Sequence, residues 1–411
     1  MRAMPESTRA SRAITSAALR PHASTLLGMI WTARGISRAE LSRRTALARS
    51  TVSRAVNGLV ASGLVSEVGV GPSRGGRRPI ILQFQDDAHG VIGVELDRTR
   101  VAVALTNLRG QVHAWEERTH PVHGDPEGTR ALVSSLIEAC LARWHHRPER
   151  LVAIGVAVAS PFDRAAADPL SHVVLPAWGG RLGFEVLSER FGVPVLVDND
   201  ANLGALAEHW WGAGRAVNDL VYLTVSTGVG SGHIVGGKVY RGSTGVAGEI
   251  GHLPIDLCGA PCECGLRGCL THLVGAQGVQ TRIEALRPSF PASALPRPVT
   301  PGALHDAALA GDPLALRAIE DTAAVLATGI AGMMNLLNPA MVVIGGDLAR
   351  LGEPFFAPLR RAVQERSRIS SAASAQIVAS PLGERAIALG AATYALEAAL
   401  NDVGLFPAAR E

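Results

Sequence analysis

The sequence predicts an α/β protein that begins with a winged helix-turn-helix and continues as two larger α/β lobes. Three observations support this prediction. The chain has 411 residues, which is more than one hydrophobic core usually holds. A strongly basic first segment has the pattern of two short helices followed by a hairpin. Beyond residue 90, short apolar strands alternate with helical stretches in two successive sets.

The composition favours a cytoplasmic globular protein. Hydrophobic residues make up 47% of the chain, and 45 glycines allow many tight turns. The apolar runs stop short of the roughly 20 residues that a membrane-spanning helix needs. The N-terminus carries arginines but no continuous apolar stretch before a cleavage site, so it does not resemble a signal peptide. We therefore expect a cytoplasmic location without a membrane partner.

Positive charge is concentrated at the N-terminus. Residues 1–85 contain 13 arginines and 3 glutamates, a net charge of +10, whereas the remaining residues carry a net charge of −7. A basic head on an acidic body favours a polyanionic partner for the head. We interpret residues 1–22 as a disordered basic tail and residues 23–85 as a winged helix-turn-helix domain.

Residues 35–65 have the pattern of two helices around a short turn. Ser37 and Glu40 fit a capping box, S-x-x-E, at the start of the first helix, which ends near Thr45. A second helix begins around Ser50, and its buried face carries Val52, Val56, Leu59 and Val60. Its other face presents short polar side chains and arginines, which suit the major groove of DNA: Arg49, Ser50, Thr51, Ser53 and Arg54.

A hairpin wing follows this second helix. One strand covers residues 64–68, a glycine-rich turn follows, and the segment IILQF returns as a second strand. The turn contributes Arg74, Arg77 and Arg78, which we expect to contact phosphates or the minor groove. One such head reads only a short half-site, so we predict a homodimer or homotetramer on an inverted repeat of operator DNA. The alternative is a winged-helix module that makes only protein contacts.

The body contains two sets of strands and helices. The first set has strands at 91–96, 100–105, 151–159 and 193–200, with a helix from about Glu127 to Arg143. The second set has strands within 219–240, a long helix at about 313–338 and a further strand in MVVIGGD. Ligands of such folds bind at the carboxyl ends of the strands, so two sets predict two lobes with a ligand cleft between them.

Four motifs together resemble one protein family. They are VDNDAN (197–202), GEIGH (248–252), CECGLRGC (262–269) and NPAMVVIGGD (338–347). In combination they resemble the ROK family of bacterial sugar repressors and sugar kinases, from about residue 23 to the C-terminus, and the winged head resembles the repressor branch. The resemblance implies an actin-like ATPase/hexokinase fold, with lobe 1 in residues 88–203 plus 388–408 and lobe 2 in residues 204–387.

Residues 252–272 hold four of the chain's five cysteines. Disulfides are rare in the cytosol, so the cluster favours a metal site over a disulfide knot or a redox thiol cluster. In the ROK family one histidine and three cysteines bind one zinc ion, and the matching residues here are His252, Cys262, Cys264 and Cys269. Such a closed Cys3His set leaves no open position, so we expect one structural Zn²⁺ per chain.

The resemblance also implies a sugar pocket between the lobes. The matching family positions contact the sugar through planar polar side chains, here Asn199, Asp200, Glu249 and His252. For Asp200 the alternative is a helix N-cap, because Asp and Asn favour that position. At the position of a family glutamate that touches the sugar, this chain has Thr271. This departure leaves three outcomes open for the effector, a sugar or sugar phosphate: a different sugar, weak binding or no binding.

The kinase members of the family carry a D-x-G-x-T loop that holds the phosphates of ATP. This chain has Glu95, Leu96, Asp97, Arg98 and Thr99 at the corresponding positions. A carboxylate about 4 Å from a phosphate charge costs roughly 1 kcal/mol even in bulk water. We therefore predict no kinase activity and interpret Asp200, the candidate catalytic base, as a vestige.

These observations predict a sugar-responsive transcriptional regulator, which we interpret as a repressor of genes for carbohydrate uptake or metabolism. Two alternatives stay open. One is an ATP-dependent sugar kinase with a DNA-binding head, and the other is a regulator with a degenerate pocket that answers to a protein partner. The altered phosphate loop argues against the first alternative, whereas Thr271 keeps the second open.

Overall fold

The computed structural model describes residues 20–33, 35–70, 78–144, 148–163, 166, 169–367 and 375–407. These residues form a small N-terminal head and two larger lobes, and each lobe is built around a five-stranded sheet. The predicted α/β class, with a winged helix-turn-helix ahead of two lobes, is confirmed. Among the described residues, no helix combines the length and the apolar character that crossing a bilayer requires.

The head packs helices against a small antiparallel sheet with the order β1-β3-β2. Its elements are α1 (Arg20–Thr32), β1 (Ile36–Ser37), α2 (Arg38–Thr45), α3 (Arg49–Ala61), β2 (Val65–Val70) and β3 (Ile80–Phe84). Helices α2 and α3 and the hairpin lie where the sequence predicts them. Helix α1 is not among the elements predicted from the sequence, and it begins inside the segment assigned to the tail. The rest of that tail lies outside the described residues, as do Arg74 and Arg77.

The start of α2 shows half of the predicted capping box. Ser37 Oγ accepts a hydrogen bond from Glu40 N at 3.2 Å. In the described head the Glu40 carboxylate turns away from Ser37 and accepts hydrogen bonds from Arg43 Nε at 3.1 Å and Arg44 Nε at 2.7 Å. These two guanidinium groups hold the pKa of Glu40 well below its usual value. The Glu40 carboxylate therefore pairs with two arginines of α2 and does not complete the capping box.

Lobe 1 is built on a mixed sheet with the order β6-β5-β4-β7-β8. Its elements are β4 (Gly90–Leu96), β5 (Arg100–Asn107), β6 (Val112–Thr119), α4 (Pro126–Arg143), β7 (Leu151–Val158), α5 (Glu185–Phe191) and β8 (Val195–Asn199). Strand β6 is absent from the sequence prediction. Strands β4, β7 and β8 run parallel, so their carboxyl ends meet at one edge of the sheet. At that edge β8 leads directly into α6 (Asp200–Trp210).

Lobe 2 has the strand order β11-β10-β9-β12-β13. Its strands are β9 (Leu220–Val225), β10 (Val229–Val235), β11 (Lys238–Val239), β12 (Met341–Gly345) and β13 (Gln376–Ala379). Its helices are α7 (Leu270–Val274), α8 (Ala276–Leu286), α9 (Pro301–Leu309), α10 (Pro313–Leu337) and α11 (Glu353–Arg366). The long α10, which the sequence predicts within one residue at its C-terminal end, buries one face in the core of this lobe.

Helix α6 and the last helix, α12 (Ala386–Asn401), pack against each other between the two sheets. A Cβ atom on Gly390 of α12 would lie 1.9 Å from the Leu203 carbonyl oxygen of α6, so the two backbones are in direct contact. The lobe boundaries expected after residues 203 and 387 therefore fall inside α6 and α12. A pattern of strands and helices does not show that a helix packs between two sheets, so it could not indicate this arrangement of α6 and α12.

The contact between α6 and α12 gives a direct test. Replacing Gly390 with alanine should destabilise the protein by about 1–3 kcal/mol, because the new methyl group must push the two helices apart. The matched control is Gly332→Ala in α10, where a Cβ would meet nothing within 4 Å. That variant should instead gain about 0.5–1 kcal/mol, because alanine loses less backbone entropy in a helix. Chemical denaturation measures both, and equal stability of the two variants would contradict the packing described.

Candidate functional site

A cleft with a cavity volume of about 250 Å³ opens between the two lobes, and residues of both lobes line it. All four residues assigned to sugar contact lie along it: Asn199, Asp200, Glu249 and His252. A wider groove of about 1290 Å³ separates the wing strands from lobe 1, but the predicted sugar and metal residues do not line that groove. The cleft between the lobes is therefore the candidate ligand site.

The junction of β8 and α6 gives adjacent residues different roles. Asn199 is the N-cap of α6, since its Oδ1 accepts a hydrogen bond from Asn202 N at 3.1 Å. Its Nδ2 donates to Ser160 O at 3.1 Å and to Asp200 Oδ1 at 3.0 Å. Asp200 is the first residue of the helix and lines the cleft. Capping, the alternative role considered for Asp200, thus belongs to Asn199.

A buried ion pair fixes this junction to lobe 2. Asp198 is 1% exposed, and its Oδ2 accepts a hydrogen bond from Arg241 Nε at 2.7 Å. Its Oδ1 accepts hydrogen bonds from Asn199 N at 2.8 Å and from Asn202 Nδ2 at 3.4 Å. Arg241 follows β11, and its guanidinium carbon lies 5.6 Å from the ring centre of Tyr394 on α12. Neither member of the pair is among the site residues that the sequence predicts.

Burial changes the protonation of two carboxyl groups in the cleft. Burial, together with the neighbouring carboxylates of Asp97, Glu95 and Glu249, raises the pKa of Asp200 to about 7. Glu249 is exposed as a residue, but the protein atoms around its carboxyl group displace water from it and raise its pKa to about 7. Both groups are therefore partly protonated near neutral pH, where each can donate as well as accept a hydrogen bond. Such groups suit hydroxyl groups, which also donate and accept.

The turn that carries Glu249 is held from behind by two residues of β10. Ser231 Oγ donates to Gly248 O at 2.7 Å, so His233 Nε2 must donate to Ser231 Oγ at 2.8 Å. Burial lowers the pKa of His233 to about 4, which keeps the ring neutral near pH 7. Gly248 has a φ of +103°, and a Cβ there would lie 2.2 Å from Ser231 O. Glycine is therefore required where this turn meets β10.

One histidine and three cysteines form a compact cluster beside the cleft. The ligand atoms of His252, Cys262, Cys264 and Cys269 lie within 4.8 Å of one another, a grouping that could hold a metal ion. His252 Nδ1 lies 3.6 Å from Cys262 Sγ, and Cys264 Sγ lies 3.6 Å from Cys269 Sγ. His252 also lines the cleft, so its ring stands between the thiols and the ligand space. Cys258 is exposed and lies outside the cluster.

The face of α3 that the sequence assigns to DNA is accessible. Arg49, Ser50 and Arg54 are exposed, whereas Thr51 and Ser53 are half-buried. Of the predicted wing arginines the structure describes Arg78, which is exposed. The head thus presents arginine side chains both on α3 and beside β3.

Arg38 of α2 connects three elements of the head, a role that the sequence did not predict. Its guanidinium group donates to Ser53 O at 3.2 Å and to Asn57 Oδ1 at 2.8 Å, both on α3. It also forms an ion pair with Glu67 of β2, with 2.7 Å between Nη2 and Oε1. One side chain therefore fixes α3 relative to α2 and to the wing.

The comparisons with known proteins agree with this architecture. Residues 91–398 match the ROK family, and residues 19–78 match the MarR family. The chain is a member of the ROK family. The fold of the crystal structure of a ROK family transcriptional regulator, a homologue of the E. coli MLC protein, superimposes with a TM-score of 0.77. That match has 24% identity and covers 94% of this chain and 98% of the other.

Both regulators and kinases occur among the ROK relatives. The xylose repressor of Caldicellulosiruptor bescii is 32% identical over 377 residues, which cover 90% of this chain and 93% of the relative. A ROK family glucokinase from Streptomyces griseus, in complex with glucose and AMPPNP, superimposes with a TM-score of 0.66 and 27% identity. The kinase match covers 75% of this chain and 99% of the kinase. The two regulators therefore align with more of this ROK chain than the kinase does.

The segment Glu95–Thr99, which differs in sequence from the D-x-G-x-T loop of the kinases, begins with a buried carboxyl group. Glu95 is buried, and its Oε1 accepts a hydrogen bond from Arg100 Nη2 at 2.7 Å. Burial raises the pKa of Glu95 to about 7. Asp97 lines the cleft. Beside it, Arg98 Nη2 lies 4.0 Å from Glu263 Oε2 of the cysteine loop.

Thr271 changes the hydrogen bonds that one wall of the ROK cleft can offer. Its Oγ1 accepts a hydrogen bond from Val229 N at 3.2 Å, so the hydroxyl is fixed to the start of β10. The hydroxyl hydrogen stays available to a ligand in the cleft. Where a glutamate would offer charged acceptors, this position therefore offers a donor, which suits a ligand that presents an acceptor.

The raised pKa of Asp200 predicts a pH-dependent gain in stability for Asp200→Asn in the ligand-free protein. The folded pKa of about 7 exceeds the ordinary value of 3.8, so the folded state binds the proton more tightly and stability falls as the pH rises between these values. Above pH 7 the wild type carries the full cost of the buried charge. Asp200→Asn should therefore melt at a higher temperature than the wild type at pH 8, with a smaller difference towards pH 4.

The matched control for this measurement is Asp306→Asn, because Asp306 is an exposed carboxylate on α9. Its melting curve should follow that of the wild type at every pH, since no buried charge is removed. Coincident curves for Asp200→Asn and the wild type at pH 8 would contradict the assignment of a buried, destabilising charge to Asp200.

Proposed function

We propose that this ROK protein is a sugar-responsive, DNA-binding repressor of genes for carbohydrate uptake or metabolism. One observation carries the proposal. A winged helix-turn-helix with an accessible, arginine-bearing helix is fused in one chain to a ROK body with an open polar cleft. A repressor needs both parts, whereas a sugar kinase needs only the second. The xylose repressor of C. bescii, which matches 90% of this chain, supports the same function.

The head would bind operator DNA through α3 and the wing. Arginines and short polar side chains at a helix N-terminus suit base edges and phosphates in the major groove, and we assign that role to Arg49, Ser50, Thr51, Ser53 and Arg54. Arg78, with Arg74 and Arg77 beyond the described residues, would contact phosphates or the minor groove. Because one head covers only a half-site, a homodimer or homotetramer would bind an inverted repeat.

The effector would be a sugar or sugar phosphate in the cleft. Asn199, Asp200, Glu249 and His252 would make its polar contacts, because their planar side chains can pair with neighbouring hydroxyl groups. Thr271 would donate its hydroxyl hydrogen to an acceptor of the ligand, because its oxygen already accepts from Val229 N. The name of the C. bescii relative makes D-xylose the first candidate to test.

We also propose that the protein does not phosphorylate its sugar. A carboxyl group with a pKa of about 7, such as Asp200, would suit a general base. Phosphoryl transfer, however, depends mainly on positioning the phosphates and neutralising their charge. Here Asp97 adds a negative charge to the cleft, where it would repel a phosphate group, and Glu95 is held by Arg100. With its phosphate loop altered, the cleft would bind a sugar without transferring a phosphoryl group to it.

The cysteine cluster would bind one structural Zn²⁺. Zinc with four protein ligands is tetrahedral, and Zn–S bonds of about 2.3 Å place neighbouring sulfur atoms about 3.8 Å apart. The sulfur atoms of Cys264 and Cys269 lie 3.6 Å apart, and so do His252 Nδ1 and Cys262 Sγ, which fits this geometry. A closed set of ligands leaves no position for catalysis. The ion would hold the loop and fix the ring of His252 at the cleft.

Elemental analysis tests the metal directly. Protein prepared without chelator should contain about one zinc per chain, and Cys264→Ser should lose most of it and melt at a lower temperature. Cys258→Ser is the matched control, because Cys258 lies in the same loop but outside the cluster. It should keep both the zinc and the melting temperature. Metal-free wild type, or a Cys264→Ser variant with full zinc, would contradict the proposal.

Reciprocal coupling of sugar and operator tests the function. The operator is first selected from random DNA by the purified protein, and sugars, beginning with D-xylose, are screened by thermal shift. The best sugar should lower operator affinity by roughly 5- to 150-fold, and the operator should lower sugar affinity by the same factor. Fluorescence anisotropy and calorimetry measure the two affinities.

Arg54→Ala separates the two halves of this test. The variant should bind the operator more weakly and keep the sugar affinity of the wild type, because Arg54 lies on α3, outside the cleft. A wild type whose sugar affinity is the same with and without operator would contradict the sensor half of the proposal. A protein that enriches no sequence from random DNA would contradict the regulator half.

A further inference from the structure

Helix α6 has one end at the ligand cleft and the other at the DNA-binding head. Its first residue, Asp200, lines the cleft, and its last residue, Trp210, contacts Trp31 of α1. The helix has 11 residues, so about 15 Å separates its ends. One helix therefore reaches from the candidate sugar site to the head.

The surroundings of α6 make it move as one body. Its residues 201–208 are all buried. A Cβ on Gly204 would lie 2.3 Å from a tyrosine ring of β9, and a Cβ on Gly232 of β10 would lie 2.0 Å from Ala201 O. The contact between Gly390 and Leu203 closes a further side. With backbone or ring atoms against it on several sides, the helix has no room to bend, so a displacement at one end reaches the other.

Three tryptophans join the C-terminal end of α6 to the head. The ring centre of Trp31 lies 5.3 Å from that of Trp210 and 6.3 Å from that of Trp211, and the latter two are 5.6 Å apart. The interplanar angles of 51°, 71° and 62° are tilted or edge-to-face, the arrangements that aromatic pairs prefer. We call these three residues the tryptophan contact.

Polar groups fix the tryptophan contact in position. Trp31 Nε1 donates to Leu108 O at 3.0 Å, and Trp211 Nε1 donates to Thr393 Oγ1 at 2.7 Å. The guanidinium carbon of Arg109 lies 4.4 Å from the ring centre of Trp31, and Arg109 Nη2 donates to Trp31 O at 2.6 Å. The indole rings are therefore held between two lobe 1 elements and the head rather than resting loosely on a surface.

On the head side the contact continues to the proposed recognition helix. Trp31 belongs to α1, whose buried residues share one hydrophobic cluster with those of α3. That cluster includes Leu26, Leu27 and Ile30 of α1 and Val52, Val56 and Leu59 of α3. A movement of Trp31 would therefore be passed to α3 through close-packed side chains.

We propose that Trp31 and Trp210 are positioning residues through which α6 transmits the ligand state of the cleft to the DNA-binding head. The inference rests on the proposed function and names the element that couples its two sites. A ligand that holds Asp200 shifts the N-terminal end of α6, and the tryptophan contact changes the orientation of α1 and with it α3. Both sites then bias one rigid element, which is the physical requirement for coupling between them.

The experiment measures the ratio of operator affinities without and with saturating sugar, using the full chain and the sugar chosen by thermal shift. Trp31→Leu and Trp210→Leu should lower this ratio by at least about threefold relative to the wild type, because coupling is the quantity they remove. Sugar affinity without DNA and operator affinity without sugar should each stay within about twofold of the wild type. A residue that only stabilised the contact between the head and the body would change operator affinity but would leave the ratio of operator affinities without and with sugar unchanged.

Two further variants serve as controls. Trp115→Leu replaces a half-buried tryptophan of β6 that does not belong to the tryptophan contact, so its ratio should equal that of the wild type. Trp31→Phe keeps an aromatic ring in the contact and should retain part of the coupling. It also gives a result if the leucine variant fails to fold. Sugar should change the tryptophan emission of the wild type, and this change should be smaller in Trp31→Phe.

The outcomes distinguish this inference from the proposed function. A wild type that couples sugar to operator, with folded Trp31 and Trp210 variants that keep the full ratio, overturns the inference and leaves the proposed function standing. Unchanged sugar-dependent emission in Trp31→Phe overturns it as well. A wild-type ratio of one overturns the proposed function and, with it, any transmission through α6.

Discussion

Direct backbone contact between α6 and α12 is the constraint on which the rest of the structure depends. Because Gly390 has no side chain, the carbonyl oxygen of Leu203 lies where a Cβ atom would otherwise be. The two helices can therefore fill the space between the sheets while each also packs on its own sheet. The β8–α6 junction therefore lies at the interface of the lobes, where the buried pair of Asp198 and Arg241 joins it to lobe 2. The position of the cleft follows from this packing.

Local patterns in the sequence predicted most of the fold, and the exceptions have physical reasons. The strands of both lobes and helix α10 are apolar enough to be visible without a structure. Strand β6, with the sequence VHAWEERT, has three apolar residues, and its other five are charged or polar, so the sequence gave little indication of a strand. Helix α1 carries Ala23, Leu26, Leu27 and Ile30 at helical spacing, which favours a helix. The start of the helix was nevertheless assigned to the basic tail, because arginines precede it.

The residues of the candidate site also fall into two groups, those that the sequence predicts and those that only the structure shows. Asn199, Asp200, Glu249 and His252 could be named from sequence because each lies in a short motif, and the structure places all four along one cleft. The supporting contacts could not be named, because they join residues far apart in the chain. Arg241 reaches back to Asp198, Arg38 to Glu67, and Trp31 to Trp210. No periodicity encodes such pairs, since only the folded chain brings their partners together.

The buried pair of Glu95 and Arg100 limits which substitutions this loop can accept. Glu95 is 3% exposed, and one of its oxygens is already bound by Arg100. Changing Asp97 to glycine would make room in the loop, but Glu95 would still be hydrogen-bonded to Arg100. Changing Arg100 first would leave a carboxylate buried without its partner, which destabilises a protein strongly. A substitution at Arg100 therefore also affects Glu95, so the two ends of this loop are constrained to change together.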